Sequence, residues 1–284
     1  MEEIIKKAEI LIEVLPYIKR FYKKITVIKY GGSILAEEKI RHSVLQDIVF
    51  LNLVGIRIVL VHGGGPSITE RMRLKGKKTE FVDGMRITDE ETLLVVEEEL
   101  QKLNKIIVEE LNKFGAKAVG LNGKEKGLIQ VKKKRAKVDL GRVGEITAVD
   151  PSSILKEIKN NYIAVVLPMG RGPDNRIYNV NADEAASWIA VALKAEKLLF
   201  LTNVKGIMRN PEDPNSFIST LTVKEAKTLV EEKVIQEGMI PKVKASIYAI
   251  ENGVKKTHII DAKLSHSLLL EIFTNKGVGT EILI

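Results

Sequence analysis

The sequence predicts a three-layer αβα sandwich around a central, largely parallel sheet, preceded by a kinked helix. Three observations point there. Short apolar runs alternate with amphipathic stretches from residue 25 onward, the pattern of strand–helix units whose sheet must be covered on both faces. Two runs, Thr26-Val-Ile-Lys-Tyr30 and Ile58-Val-Leu-Val-His62, stop at consecutive glycines. Ahead of the first run lies a segment with helical periodicity and an internal proline.

Residues 2 to 22 read as that helix. Ile4, Ala8, Leu11, Leu15 and Ile18 recur at alternating steps of four and three, making one narrow apolar seam. Pro16 kinks it, because its ring removes a donor and crowds the preceding turn. The seam packs either on its own domain or on another subunit. Glu38 to Leu53 reads as a helix between the two glycine-ended strands. Thr88-Asp-Glu-Glu91 reads as a capping box opening a long helix that Gly115 ends. Residues 117 to 147 alternate around turn residues and predict strands and hairpins. Asp150-Pro151 starts a short helix, and Tyr162 to Leu167 is a buried strand. Gly170 to Asn175 is loop-like and marks a seam between lobes near 170 to 180.

Beyond it, Tyr178-Asn-Val-Asn-Ala-Asp183 leads into a helix reaching Leu193, and Lys197 to Thr202 is a further buried strand. Thr222-Val-Lys-Glu225 is a second capping box. Gly238-Met-Ile-Pro-Lys242 opens a helix ending at Asn252-Gly253. A strand at 256–260, a helix at 266–273 and a strand at 278–283 close the chain.

At 284 residues and 45% hydrophobic, the chain suffices for one large α/β domain or two lobes. It has no cysteine, which excludes disulfides, thiolate catalysis and Cys-ligated zinc and fits a cytoplasmic location. The start, Met1-Glu2-Glu3, does not read as a secretory signal. No apolar run reaches the length of a membrane span. The nearest, Ala185 to Val204, is interrupted by Lys194, Glu196 and Lys197. A net charge of +8 and a pI near 9.3 suit either a nucleic acid partner or an enzyme with anionic substrates. Lys132-Lys-Lys-Lys-Arg-Ala-Lys137 prompts the former, but the run lies in a hairpin region without interleaved aromatics and reads as a solvated edge.

The glycine-ended strands carry the chemistry. Gly31-Gly32 and Gly63-Gly64-Gly65 let bare backbone approach a ligand and turn its N–H groups toward negative charge. Lys29 stands at the exit of the first. Neither loop follows the Walker A or G-x-G-x-x-G pattern, and no cluster of metal-ligating side chains is visible. His62 reads as a structural hydrogen-bonding residue.

Five segments in order carry a resemblance to the amino acid kinase family, spanning Ile25 to Ile284: Lys29-Tyr-Gly-Gly, Val61-His-Gly-Gly-Gly-Pro, Asp83-Gly-Met-Arg-Ile-Thr-Asp89, Tyr178-Asn-Val-Asn-Ala-Asp183 and Gly238-Met-Ile-Pro-Lys242. The resemblance implies phosphoryl transfer from ATP to the γ-carboxylate of N-acetyl-L-glutamate. A carboxylate is already ionised at neutral pH and needs no general base. It needs relief of repulsion between two anions and stabilisation of the transferring group.

By resemblance, Lys29, Lys242, Asp183, Gly32 and Gly64 are catalytic, with Asp183 organising the two lysines. Gly64, Gly65, Arg86 and Asn179 bind the acceptor. Gly31, Gly32, Thr202, Lys205, Gly206 and Lys242 border the nucleotide, and magnesium is carried by ATP. The bland readings remain beside these: solvated lysines for Lys29 and Lys242, a surface salt bridge for Arg86, and a helix N-cap for Asp183. Asn203 stands where many relatives have Asp.

The helix at 1–22 and the tail from Leu268 to Thr280 resemble the arginine-inhibited branch of the family. That implies an oligomerisation helix (1–22), an acceptor-binding and dimerisation lobe (23–178) and an ATP-binding lobe (179–284). It further implies a hexamer built as a trimer of dimers, and an arginine site lined by His258, Glu271 and Gly277. A kinase acting on aspartate or on carrier-linked aminoadipate is the competing member, and aspartate kinases usually carry a further C-terminal region.

Overall fold

A computed structural model describes Met1 to Ile284 except Ala36, Asp83, Pro211, Gln236 and Glu237, and except the side chains of Glu3, Ser33 and Pro214. Asp83, first residue of one of the five segments, therefore lies outside the described residues. Helices α1 (Glu2–Glu13) and α2 (Leu15–Phe21) precede strand β1 (Ile25–Tyr30), and α3 (Gly32–Leu35) and α4 (Glu38–Leu53) lead to β2 (Arg57–His62). Then come α5 (Gly65–Leu74), the small hairpin β3 (Phe81–Val82) and β4 (Met85–Arg86), α6 (Glu90–Lys113) and β5 (Lys117–Asn122). Strands β6 (Ile129–Lys133) and β7 (Gly144–Val149), helix α7 (Ser152–Lys159), β8 (Tyr162–Leu167), β9 (Met169–Arg171) and β10 (Ile177–Asn179) follow. The remainder is α8 (Ala182–Ala192), β11 (Lys197–Thr202), β12 (Ile207–Met208), β13 (Phe217–Ile218), β14 (Thr220–Thr222), α9 (Val223–Glu231), α10 (Ile240–Glu251), β15 (Lys256–Asp261), α11 (Ser267–Phe273) and β16 (Thr280–Leu283).

The main sheet has eight strands in the order β14-β16-β15-β11-β1-β2-β8-β5. All pairs are parallel except β15 with β16. A smaller sheet, β10-β9-β6-β7, stands beside it. Side chains alternate between two buried layers. Val27, Val59, Val61, Val166 and Phe200 pack against α7, α8, α9 and α10. Ile28, Tyr30, Leu60, Val165 and Leu201 pack against α4, α6 and α11. The period of two puts Lys29 on the α8/α10 side, and that parity decides which helices supply its partners.

Parallel register also decides where the glycines meet. Tyr30 pairs with His62 and Leu201, so the loops after β1, β2 and β11 all leave the same sheet edge. The chain runs from β1 toward β2 on one side and later fills β11 on the other. Ligands of open α/β sheets bind at such a switch, outside the carboxyl ends of the strands.

Several local readings hold, and others need correction. The N-terminal helix breaks at Val14, with Pro16 in the first turn of α2. The Thr222 capping box is present. Thr88, however, is not the cap of α6: Asp89 is, accepting from Thr92 N at 2.8 Å, while Thr88 Oγ1 donates to Arg86 O. Nor is Asp183 the cap of α8. Asn181 Oδ1 accepts from the N–H groups of Asp183 and Glu184 at 2.9 and 3.1 Å, which leaves the Asp183 carboxylate for another task.

Candidate active site

A cavity of about 320 Å³ opens at the switch point, lined by both glycine loops, Lys29, Arg86, Asp183 and Lys242 among others. Gly32 lets the two loops touch: a Cβ there would lie 2.9 Å from Gly65 N and 3.2 Å from Gly64 N. Gly64 and Gly65 are the N-cap and first residue of α5, and the N-cap glycine brings no side-chain cap of its own. Their N–H groups have no intrahelical acceptor and lie where an anion is favoured.

At the floor, Lys29 Nζ is 2.8 Å from Asp183 Oδ1, and Lys242 Nζ is 3.5 Å from Asp183 Oδ2. Lys242 also donates to Gly238 O at 3.3 Å. Lys29 and Asp183 are 7% and 6% exposed, so Lys29 is no solvated strand-end lysine. Burial pushes the Asp183 carboxyl up, but the two ammonium groups outweigh it and hold the pKa below the ordinary carboxylate value. Burial lowers the Lys242 ammonium, Asp183 counteracts, and the neighbouring Lys29 charge lowers it further. Asp183 and Lys242 sit in the first turns of α8 and α10. Trp188 stacks on Tyr248 at 5.0 Å between ring centroids, clamping those two helices together. Such a stack contributes about 1 kcal/mol beyond its buried area.

Arg86 is buried, yet among the described residues it has no carboxylate partner. Its Nη2 donates to Gly65 O at 3.0 Å and Thr69 Oγ1 at 2.8 Å, Nη1 lies 3.4 Å from Met72 Sδ, and the guanidinium stands 4.7 Å over the Phe81 ring. Burial alone pushes its pKa down to about 10, so it remains charged at neutral pH. At 6% exposed, and with no ion pair among the described residues, Arg86 does not have the surroundings of a surface salt bridge. A buried cation with neutral partners is poised for an incoming anion. Asn179 lines the same cavity and donates to Thr88 Oγ1 at 3.3 Å.

His62, fully buried, has only neutral partners among the described residues: Nε2 is 3.1 Å from Asn104 Nδ2 and Nδ1 is 3.3 Å from Gly63 O. Burial drives its pKa down to about 4. It is neutral and structural.

Gly31, Thr202 and Asn203 also line the cavity. Lys205 and Gly206 do not; Lys205 is exposed and Gly206 is buried against Thr280. The sequence reading missed Phe81, whose ring backs Arg86, and Asn104, whose amide holds His62. Neither sits in a pattern that distinguishes it from a hairpin aromatic or a helix-face amide.

His258, Glu271 and Gly277 come together elsewhere, with His258 on β15 itself. His258 Nδ1 is 2.6 Å from Glu271 Oε1, and Glu271 Oε2 accepts from Val278 N at 2.9 Å and Gly279 N at 3.2 Å. A Cβ on Gly277 would lie 2.8 Å from that carboxylate. Burial raises the Glu271 pKa, but His258, the backbone donors and Lys197 bring it below the ordinary value.

The sequence profile of the amino acid kinase family matches residues 24–261. The chain is 49% identical to the acetylglutamate kinase of Carboxydothermus hydrogenoformans over 99% of both proteins. It is 50% identical to that of Methanocaldococcus jannaschii over 99% of this chain and 98% of the relative. Among solved structures, N-acetylglutamate synthase from Neisseria gonorrhoeae, complexed with coenzyme A and N-acetyl-glutamate, superposes with a TM-score of 0.87 at 25% identity over 98% of this chain. This chain spans 63% of the length of that synthase. Carbamate kinase from Giardia lamblia shares the fold, with a TM-score of 0.67 at 17% identity over 92% of this chain and 98% of that one. With its profile matched across the sheet and its full length shared with such relatives, this enzyme belongs to the amino acid kinase family.

Proposed function

We propose that the enzyme transfers the γ-phosphoryl group of ATP to the side-chain carboxylate of N-acetyl-L-glutamate, giving an acyl phosphate and ADP, as the second step of arginine biosynthesis. One observation carries this reading. A buried Arg86, without a carboxylate partner among the described residues, lines the same cavity as two lysines joined through Asp183. Arg86 and Asn179 hold the amino-acid end of the acceptor, and the side-chain carboxylate reaches the glycine loops. Lys29, Gly32 and Gly64 stabilise charge on the transferring group. Lys242 serves the leaving phosphate from the first turn of α10.

No proton needs removal, and the neutral His62 is bonded elsewhere, in accord with a nucleophile that is already an anion. Magnesium enters with ATP and neutralises charge on its phosphates. Asp183 is committed to two lysines, so the ion is held by the nucleotide.

The chain divides in this reading into an oligomerisation helix (1–22), an acceptor lobe (23–178) and a nucleotide lobe (179–284), with Thr202, Lys205 and Gly206 on the nucleotide side. Arginine inhibits at His258, Glu271 and Gly277, and α1 interlaces dimers into a hexamer. In support, Ile4, Leu11 and Leu15 of the seam are 67%, 65% and 42% exposed on the single chain, and Tyr17 of α2 donates to Asn275 beside the arginine site at 2.7 Å. Three cations of the basic run pair within the chain: Lys132, Lys133 and Lys134 with Glu145, Asp139 and Glu184.

The test is ADP release with N-acetylglutamate, glutamate, aspartate and N-acetylaminoadipate offered separately, each with and without arginine. Turnover confined to acetylglutamate and suppressed by arginine is the expected result; preference for another acceptor overturns the assignment. Light scattering on a variant lacking residues 1–20 tests the assembly, which fails as a reading if the hexamer persists.

A further inference from the structure

Arg86 and Asn179 come from distant parts of the chain, yet they can hold one end of an acceptor at a set distance from Lys29 only if they are held together. We infer that Thr88 is a positioning residue that fixes this end of the site and thereby the length of acceptor the enzyme selects. The inference rests on the reading of the cavity as an acylamino-acid site.

Thr88 is 0% exposed and does not line the cavity. Its hydroxyl joins the Asn179 side chain to the Arg86 main chain: Oγ1 donates to Arg86 O at 2.7 Å and accepts from Asn179 Nδ2 at 3.3 Å. A hydroxyl is the smallest side-chain group able to do both at once. The Thr88 main chain is anchored on either side. Its N–H donates to Leu140 O at 3.0 Å, and its carbonyl accepts from Arg142 N at 2.6 Å. Gly141 permits that approach, since a Cβ there would fall 2.2 Å from Thr88 O. Arg142 O in turn accepts from Asn179 N at 2.8 Å.

The backbone thus brings the segments side by side, and the hydroxyl fixes the Asn179 amide relative to the Arg86 carbonyl. An acceptor held at one end by Arg86 and Asn179 and at the other by Lys29 and the glycine loops is measured by the distance between those grips. Loosening one end weakens binding of the right length and lessens the penalty on a wrong one.

The experiment compares wild type, Thr88→Val and Thr88→Ser with N-acetylaspartate, N-acetylglutamate and N-acetylaminoadipate, with KM for ATP and melting temperature measured alongside. Valine keeps the shape without the hydroxyl, and serine keeps the hydroxyl. Thr88→Val should lower kcat/KM for acetylglutamate about tenfold, mostly through KM, the loss expected of one buried hydrogen-bonding group. The acetylglutamate-to-acetylaminoadipate preference should fall about fivefold while KM for ATP stays within about twofold. Thr88→Ser should restore both. Thr88→Val with wild-type KM and preference overturns the inference. So does a parallel rise of both KM values with a lowered melting temperature, or a Thr88→Ser as impaired as Thr88→Val. If Thr88→Val does not fold, Thr88→Cys is read by the same criteria. A wild type that phosphorylates none of these acids defeats the proposed function instead, whereas an active wild type with an unaltered valine variant defeats this inference alone.

Discussion

The cavity and the cluster around β15 both bury charge, but they balance it differently. In the cavity, Asp183 answers two lysines and Arg86 has no carboxylate at all among the described residues. Positive charge is in surplus where two glycine loops also present N–H groups. In the cluster, Glu271 and Glu281 stand among His258, Lys197 and Lys256, with Lys256 Nζ 2.7 Å from Glu281 and His258 Nδ1 2.6 Å from Glu271. Burial holds the His258 pKa below its ordinary value, so carboxylates and cations there come close to parity. A surplus of one sign costs stability when the site is empty and is recovered when a counter-charged guest binds. The cavity carries the surplus that favours anions, whereas the carboxylates of the cluster are already answered by neighbouring cations and backbone donors.

The sharpest way to break this contrast is to remove the surplus. Lys29→Ala and Lys242→Ala should each lower kcat for acyl-phosphate formation about 10³-fold, read by hydroxylamine trapping of the product. If a folded double variant keeps wild-type turnover, the cavity is not the reaction centre.

The buried His62 sharpens it through pH. The His62 pKa lies at about 4 against an ordinary 6.5, from burial. The unfolded chain therefore binds the extra proton between those values, and stability falls as pH drops from about 6.5 through about 4. The lost contribution is about 3 kcal/mol. Urea unfolding of His62→Gln across that window should show a shallower pH dependence than wild type; an equal slope removes His62 as the source.

Arg86→Leu comes next. It should reduce kcat/KM for the acceptor about 10²-fold with KM for ATP unchanged, because a charge-assisted pair contributes about 1.5–3 kcal/mol. Smallest is Glu271→Gln, expected to raise the arginine concentration for half inhibition about tenfold with kcat held within about twofold. A fall in kcat with no change in inhibition would place Glu271 in the chemistry and merge the two regions.

Much of this was legible before any coordinates. Glu38–Leu53, Tyr162–Leu167 and Lys197–Thr202 begin and end where their apolar patterns do, since those patterns reflect burial on one or two faces and are local. Lys29, Asp183 and Lys242 were marked by motifs with glycine or helix-start context. Thr88 and Asp183 show where local reasoning fails. Both fit cap positions in the sequence, but Asp89 and Asn181 hold those N–H groups, because several acceptors crowd each helix start and packing selects among them. Asn104 looked like any helix-face polar residue until β2 and β8 supplied His62 and Val165 O as its partners.

What the sequence determined by itself was the alternation of strands and helices, the bare glycine loops and the inventory of cations, all set by side-chain size, polarity and spacing along the chain. Tertiary structure alone decided the rest. Parallel register brought the glycine loops to one edge, strand parity turned Lys29 toward α8 and α10, and packing buried Arg86 against neutral groups among the described residues. Those outcomes depend on which distant groups share a low-dielectric space, and distance through space is what a linear order of residues does not contain.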